Sequence, residues 1–102
     1  MSPVRRVIAD HMVYSKHTSP HVGTVAEIDM TAVDHLRRAH KDAFRDAHGF
    51  SLTYLPFIVQ AVVKALREFP ALNASVLDDA IVEKRAIHIG LAAETERGLV
   101  VP

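Results

Sequence analysis

Between Phe57 and Phe69 the only polar residues are Gln60, Lys64, Arg67 and Glu68, and their spacings of four, three and one gather them on a single narrow stripe of an α-helix. The other faces carry Phe57, Ile58, Val59, Val62, Val63, Leu66 and Phe69. The pattern therefore predicts a central helix covered on most sides. Ser51 or Thr53 is placed to cap its start, and Pro56 falls in the first turn, where a missing N–H costs little. Pro70 closes the other end, and the small residues 71–75 suit a tight return into a strand.

The flanking segments have their own periodicities. Residues 3–17 read as an amphipathic surface helix with Val4, Val7, Ile8 and Met12 at helical spacing, stopped by Thr18, Ser19 and Pro20. Residues 21–29 alternate Val22, Thr24, Ala26 and Ile28 against Gly23, Val25, Glu27 and Asp29, as in a strand with one face more buried. Asp29 or Thr31 then caps a second helix, with Asp34 approximating a capping box. Val33, Leu36, His40, Ala43, Phe44 and Ala47 form its apolar stripe, and Gly49 ends it as a left-handed cap. Residues 73–77 and 80–84 around Asp78-Asp79 predict a short hairpin. Residues 86–93 predict a strand, with a turn at Glu96, Arg97 and Gly98 leading into a last strand over 99–101. That strand is apolar on both faces and has no polar ending, so the domain is expected to continue past Pro102.

Bulk properties narrow the classes. The 102 residues allow one domain, and 12 basic against 12 acidic residues, interspersed, give no field for nucleic acid. No cysteine is present, which removes disulfides, thiolate metal sites and a cysteine nucleophile. The charged start lacks the apolar core of a signal peptide, and no apolar run is long enough to span a bilayer. The expectation is a soluble cytoplasmic protein.

Side-chain chemistry taken alone is sparse. His17 and His21 are separated by Pro20, which breaks the helical face a shared metal ion needs, and His35, His40 and His48 lack an acidic ligand pattern. No serine sits on a nucleophile elbow, and Gly23, Gly49, Gly90 and Gly98 are isolated and form no phosphate loop. Arg37 and Arg38 can hold an anion or simply face solvent. No metal site and no catalytic residue is expected from the residues themselves.

The segments RRVIADHM, SPHV, EIDMTAVDHLR, LTYLPFIVQAVVKAL, FPALNAS and IGLAAETERGLVVP, in that order, resemble the catalytic domain of the dihydrolipoamide acyltransferase component of 2-oxoacid dehydrogenase complexes. The resemblance covers nearly the whole chain but only about the N-terminal half of such a domain, so residues 1–102 are expected to lack its C-terminal half. It implies an α/β (α+β) fold of the chloramphenicol acetyltransferase-like two-layer kind, a mixed sheet backed by helices, truncated here, with trimers as the assembly unit. It also implies transfer of an acyl group from dihydrolipoamide, carried on a separate lipoyl domain, to coenzyme A. The family's base is a histidine in an H-x-x-x-D-G motif, and none of the seven histidines here is followed by Asp-Gly at that spacing.

On the coenzyme A side the resemblance assigns three residues. Arg37 corresponds to the arginine of the family's Leu-Arg on the second helix, and Thr53 to the serine or threonine three residues before Pro-Phe. Glu94 stands where the family has aspartate, one methylene shorter. The implied partners are coenzyme A as substrate, a lipoyl domain and further copies of the chain, with no nucleic acid and no membrane. The alternative is a non-catalytic oligomerisation or scaffold module derived from that domain, which the broad apolar helix and the half-built last strand would also suit.

Overall fold

The structure is a computed structural model and describes residues 2–96 and 98–102. It contains three helices, α1 (Pro3–Thr18), α2 (Thr31–His48) and α3 (Leu55–Glu68), and a 3-10 turn (Pro70–Asn73). Four strands follow, β1 (Ala74–Leu77), β2 (Ala80–Glu83), β3 (Ala93–Thr95) and β4 (Gly98–Val100). The class is α+β, as expected. In place of the mixed sheet the described residues form two antiparallel pairs, β1 with β2 and β3 with β4.

Local chemistry explains the helix ends. Ser2 caps α1, its hydroxyl accepting the Arg5 N–H at 3.4 Å and its carbonyl the Arg6 N–H at 3.2 Å. Gly49 ends α2 at φ +80, sending its N–H to the Arg45 carbonyl at 2.8 Å, so the expected left-handed cap forms. The start of α2 differs from expectation. Met30 occupies the cap position, and the Asp29 carboxylate takes the Thr31 N–H at 2.9 Å and the Thr31 hydroxyl at 2.6 Å. That pair of bonds holds the Asp29 carboxyl below its ordinary pKa, the hydroxyl contributing most. Asp34 closes no capping box, because its carboxylate is taken by other partners.

Neither Ser51 nor Thr53 caps α3. The cap is Tyr54, whose carbonyl accepts from Phe57 at 3.1 Å and Ile58 at 3.2 Å, and Pro56 leaves one fewer N–H to satisfy in that turn. At the far end the 3-10 turn makes the tight return.

The expected hairpin at Asp78-Asp79 forms, with Ala74 opposite Glu83 and Leu77 opposite Ala80 and Asp78 at φ 50. Two expected strands do not form over the expected residues. Residues 21–29 adopt no ladder, and Val22 and Val25 remain 90% and 95% exposed. Of residues 86–93 only Ala93 lies in a strand, although the Leu91 N–H reaches the Pro102 carbonyl at 3.1 Å beside the β3–β4 pair. Alternation describes a strand's faces but cannot supply the partner that its N–H and C=O groups require. The turn expected at Glu96, Arg97 and Gly98 falls partly outside the described residues, at Arg97.

The expectation that α3 is covered on most sides is not met. No described residue is fully buried, and Ile58, Val62 and Leu55 keep 46%, 41% and 48% of their surface. The radius of gyration, 18.4 Å, exceeds the roughly 13 Å of a compact chain this long. Val33 of α2 lines, with Phe57, Ile58, Ala61, Val62 and Ala65 of α3, an apolar hollow of about 480 Å³. Among the described residues no helix is long and apolar enough to cross a membrane.

Candidate functional site

A half-buried polar cluster forms where α2 meets the segment entering α3. Asp34 and Arg37 are one turn apart on α2, and Arg37 Nη2 donates to Asp34 Oδ1 at 3.2 Å. The Tyr54 hydroxyl, twenty residues along the chain, donates to the same Oδ1. The second carboxylate oxygen pairs with Arg38 Nε at 2.8 Å. Arg37 lies over the Tyr54 ring, its Cζ 4.6 Å from the centroid, a cation–π placement, and its Nη1 donates to the Leu52 carbonyl at 3.5 Å. The Arg37 side chain is 23% exposed and Asp34 19%, so both are half-buried, whereas Arg38 is at 67%.

The electrostatics follow from these contacts. The Tyr54 hydroxyl, ahead of the two arginines and against partial desolvation, holds the Asp34 carboxyl below its ordinary pKa. The Arg37 guanidinium is held protonated still more firmly by the Tyr54 phenol and then by Asp34. Arg37 Nε is shielded from solvent and makes no hydrogen bond among the described residues.

One residue past Leu52 a groove of about 560 Å³ begins, with walls of Thr53, Leu55, Pro56, Val59, Gln60 and Leu91. It is mostly apolar, with a hydroxyl at Thr53 and an amide at Gln60. A guanidinium fork beside such a groove suits a ligand with a phosphate at one end and a flexible, largely aliphatic arm at the other.

The sequence matches, along residues 1–102, the family described as 2-oxoacid dehydrogenases acyltransferase (catalytic domain). The chain belongs to that acyltransferase family. It is 46% identical over 104 residues to the dihydrolipoyllysine-residue acetyltransferase component of the pyruvate dehydrogenase complex of Bacillus subtilis (strain 168), covering 100% of this chain and 23% of that protein. It is 42% identical over 99 residues to the lipoamide acyltransferase component of the branched-chain alpha-keto acid dehydrogenase complex of the same organism, again 23% of its length. A crystal structure of a probable dihydrolipoamide acetyltransferase from Listeria monocytogenes superposes with a TM-score of 0.91 at 41% identity, over all of this chain and 44% of that one. The chain is thus a partial acyltransferase catalytic domain, spanning under a quarter of the length of these curated relatives.

Within this acyltransferase fragment the structure brings two of the three expected site residues together. Arg37 is tied to the Leu52 carbonyl, and the exposed Thr53 follows directly and opens the groove. Glu94 is exposed on β3 opposite Leu99, and among the described residues no hydrogen bond or ion pair joins it to the other two. Leu91, three residues before it, lines the groove, so that wall leads toward β3.

Sequence reasoning missed Tyr54 and misread Asp34. The one available signal was an aromatic with a hydroxyl just before Pro56, in a segment already assigned to the site. Elsewhere Ser15 Oγ and His21 Nε2 stand 3.5 Å apart on the surface, and His40 Nδ1 donates to the Leu36 carbonyl at 2.9 Å. No group of three or more metal-ligating side chains gathers among the described residues.

Proposed function

We propose that this chain supplies the coenzyme A side of an acyltransferase site that moves an acyl group from dihydrolipoamide to coenzyme A. The observation that carries the reading is the Arg37 fork, fixed against Leu52 immediately before the Thr53 groove. Arg37 offers charge-assisted hydrogen bonds to a phosphate of coenzyme A, and Thr53 binds a polar group of the same substrate. The groove beyond takes the pantetheine arm, and Glu94 is the third polar contact. Family membership supports the reaction class.

In that reaction the coenzyme A thiol gives its proton to a base and attacks the carbonyl of S-acyl-dihydrolipoamide. The tetrahedral oxyanion collapses by breaking the bond to the dihydrolipoamide sulfur, which leaves as the thiol, so a base and an oxyanion donor are needed. No H-x-x-x-D-G stands in these residues, so the reading assigns them the coenzyme A side of the site and not its base. The complete assembly, with a lipoyl domain presenting dihydrolipoamide and copies of the chain grouped as trimers, works in the cytoplasm. The open faces of α3 and of residues 21–29 are the surfaces such an assembly covers.

Calorimetric titration of coenzyme A into the chain, alongside Arg37→Ala and the exposed control Lys41→Ala, tests the reading. Binding weakened about tenfold or more by Arg37→Ala alone supports it, since a charge-assisted phosphate contact is worth roughly 1.5–3 kcal/mol. Equal binding by all three proteins defeats it. Acyl transfer by the wild-type chain that a single histidine substitution abolishes would overturn the division of labour.

A further inference from the structure

We infer that Tyr54 and Asp34 are positioning residues for coenzyme A binding: they hold the Arg37 fork in the orientation that receives a phosphate, and the Tyr54 hydroxyl is the group that sets it. This inference rests on the proposed function above and adds residues to which no role has been assigned.

Arginine is long and flexible, so an arginine that grips a phosphate through two parallel N–H bonds is most effective when its plane is fixed beforehand. Three contacts fix it here. The ring of Tyr54 lies under the guanidinium, with Cζ 4.6 Å from the centroid. Asp34 Oδ1 accepts from Nη2 at 3.2 Å, and the Leu52 carbonyl from Nη1 at 3.5 Å. Each terminal nitrogen has two N–H groups, and each spends one on these contacts, leaving one on Nη1 and one on Nη2 for a ligand. The shielded Nε contributes nothing outward.

The carboxylate that steadies Arg37 would itself turn freely without a second restraint. Tyr54 supplies one by donating to the same oxygen, and Arg38 Nε takes the other oxygen at 2.8 Å. Tyr54 therefore acts on Arg37 twice, through its ring directly and through its hydroxyl by way of Asp34. It also links α2 to the chain that leads into α3 and carries Thr53, so the two assigned contacts are kept in register by one side chain. Asp34 partly neutralises Arg37, and a pairing kept for charge alone would weaken the grip on a phosphate, which makes orientation the gain.

The test is a double-mutant cycle on coenzyme A binding by the 102-residue chain, read by calorimetry, with Arg37→Ala, Tyr54→Phe and the combination. Tyr54→Phe keeps the ring and the fold and removes only the hydroxyl. Asp34→Asn is the second variant, and circular dichroism checks the helices in each. The expected result is a three- to tenfold weaker Kd in Tyr54→Phe, a similar loss in Asp34→Asn, and no further loss when Tyr54→Phe is added to Arg37→Ala. That non-additivity distinguishes positioning from a general structural role, which would lower binding by the same factor in either background. If Arg37→Ala weakens binding and Tyr54→Phe does not, or if the two losses multiply, positioning is overturned while the coenzyme A reading stands. If Arg37→Ala leaves binding unchanged, the coenzyme A contact fails and the positioning role falls with it.

Discussion

Asn73 and Lys84 are joined in both directions: the Lys84 N–H reaches the Asn73 carbonyl at 3.0 Å, and the Asn73 side-chain amide returns to the Lys84 carbonyl at 3.0 Å and on to Ala86 at 3.1 Å. One half-buried side chain thus ties the 3-10 turn after α3 to the chain leaving β2. Asn73→Ala is expected to cost about 1–2 kcal/mol by losing two donated bonds. Asn73→Asp should cost no less, because a carboxylate cannot donate to two carbonyls. Urea unfolding of the three proteins, with hydrogen exchange at the Lys84 amide, checks both, and an unshifted midpoint in either variant would contradict the role.

Gly90 and Val101 meet across the β3–β4 end. A β-carbon added at Gly90 would lie 2.8 Å from Val101 Cγ1, closer than such atoms stand in folded proteins. Val101 is stiff at χ1 but 63% exposed, so it can turn at a cost of about 0.5–1.5 kcal/mol. Gly90→Ala should destabilise by that amount, and Val101→Ala added to it should restore most of the loss. Thermal denaturation of the two single variants and the double variant decides, and equal losses with and without Val101 would exclude the clash as cause.

How much of this could be read beforehand depended on where each partner lay in the chain. α1, the Gly49 cap and the Asp78-Asp79 hairpin were legible because their hydrogen bonds close within a few residues. Residues 21–29 alternate like a strand, yet pairing is a property of two segments and no described segment pairs with them. Asp34 looked like a capping-box residue under a local rule, but a phenol twenty residues away and two arginines claimed its carboxylate. Arg37 and Thr53 were named only by family resemblance, since nothing in their spacing brings α2 to the start of α3. Tyr54, which does so, carried no signal beyond an aromatic hydroxyl two residues before Pro56.

Gly49 closes α2 at φ +80, a region that L side chains enter at about 1–2 kcal/mol. Gly49→Ala should lower stability by that amount, with Gly49→Asn milder because its short amide tolerates the left-handed conformation. Phe50, just beyond, meets the Phe44 ring edge-on at 5.4 Å, so the Ala variant should also disturb that contact. Circular dichroism at 222 nm during melting reads the first effect, and aromatic side-chain shifts read the second. An Ala variant as stable as the Asn variant would show that the cap conformation is not required.

The exposed apolar faces give a concentration-dependent prediction. Val22, Val25 and Ile28 keep 77–95% of their surface, and α3 shows Ile58 and Val62 beside the hollow under Val33. Contiguous apolar surface of this kind drives association. The chain should self-associate across a dilution series in light scattering, and Ile58→Glu, which places a charge on the open face of α3, should shift the equilibrium toward monomer. A strict monomer at every concentration would count against an assembly surface on α3.

The pH dependence is set by Asp34. Its folded-state pKa lies below its ordinary value because the Tyr54 hydroxyl, ahead of the arginines, favours the carboxylate. The unfolded chain therefore binds more protons as the pH falls through that range. The stability this group contributes is whole above the ordinary carboxylate value of about 3.9 and is lost as the pH falls through the depressed one. Tyr54→Phe removes the largest cause and should bring the Asp34 midpoint back toward the ordinary value. Asp34→Asn should flatten that part of the acid limb altogether. Carbon-13 NMR titration of the Asp34 carboxyl in wild type and Tyr54→Phe measures the midpoints directly. An unchanged midpoint would mean that the arginines alone hold the charge, and the hydroxyl would then have no grip on Asp34 through which to orient Arg37.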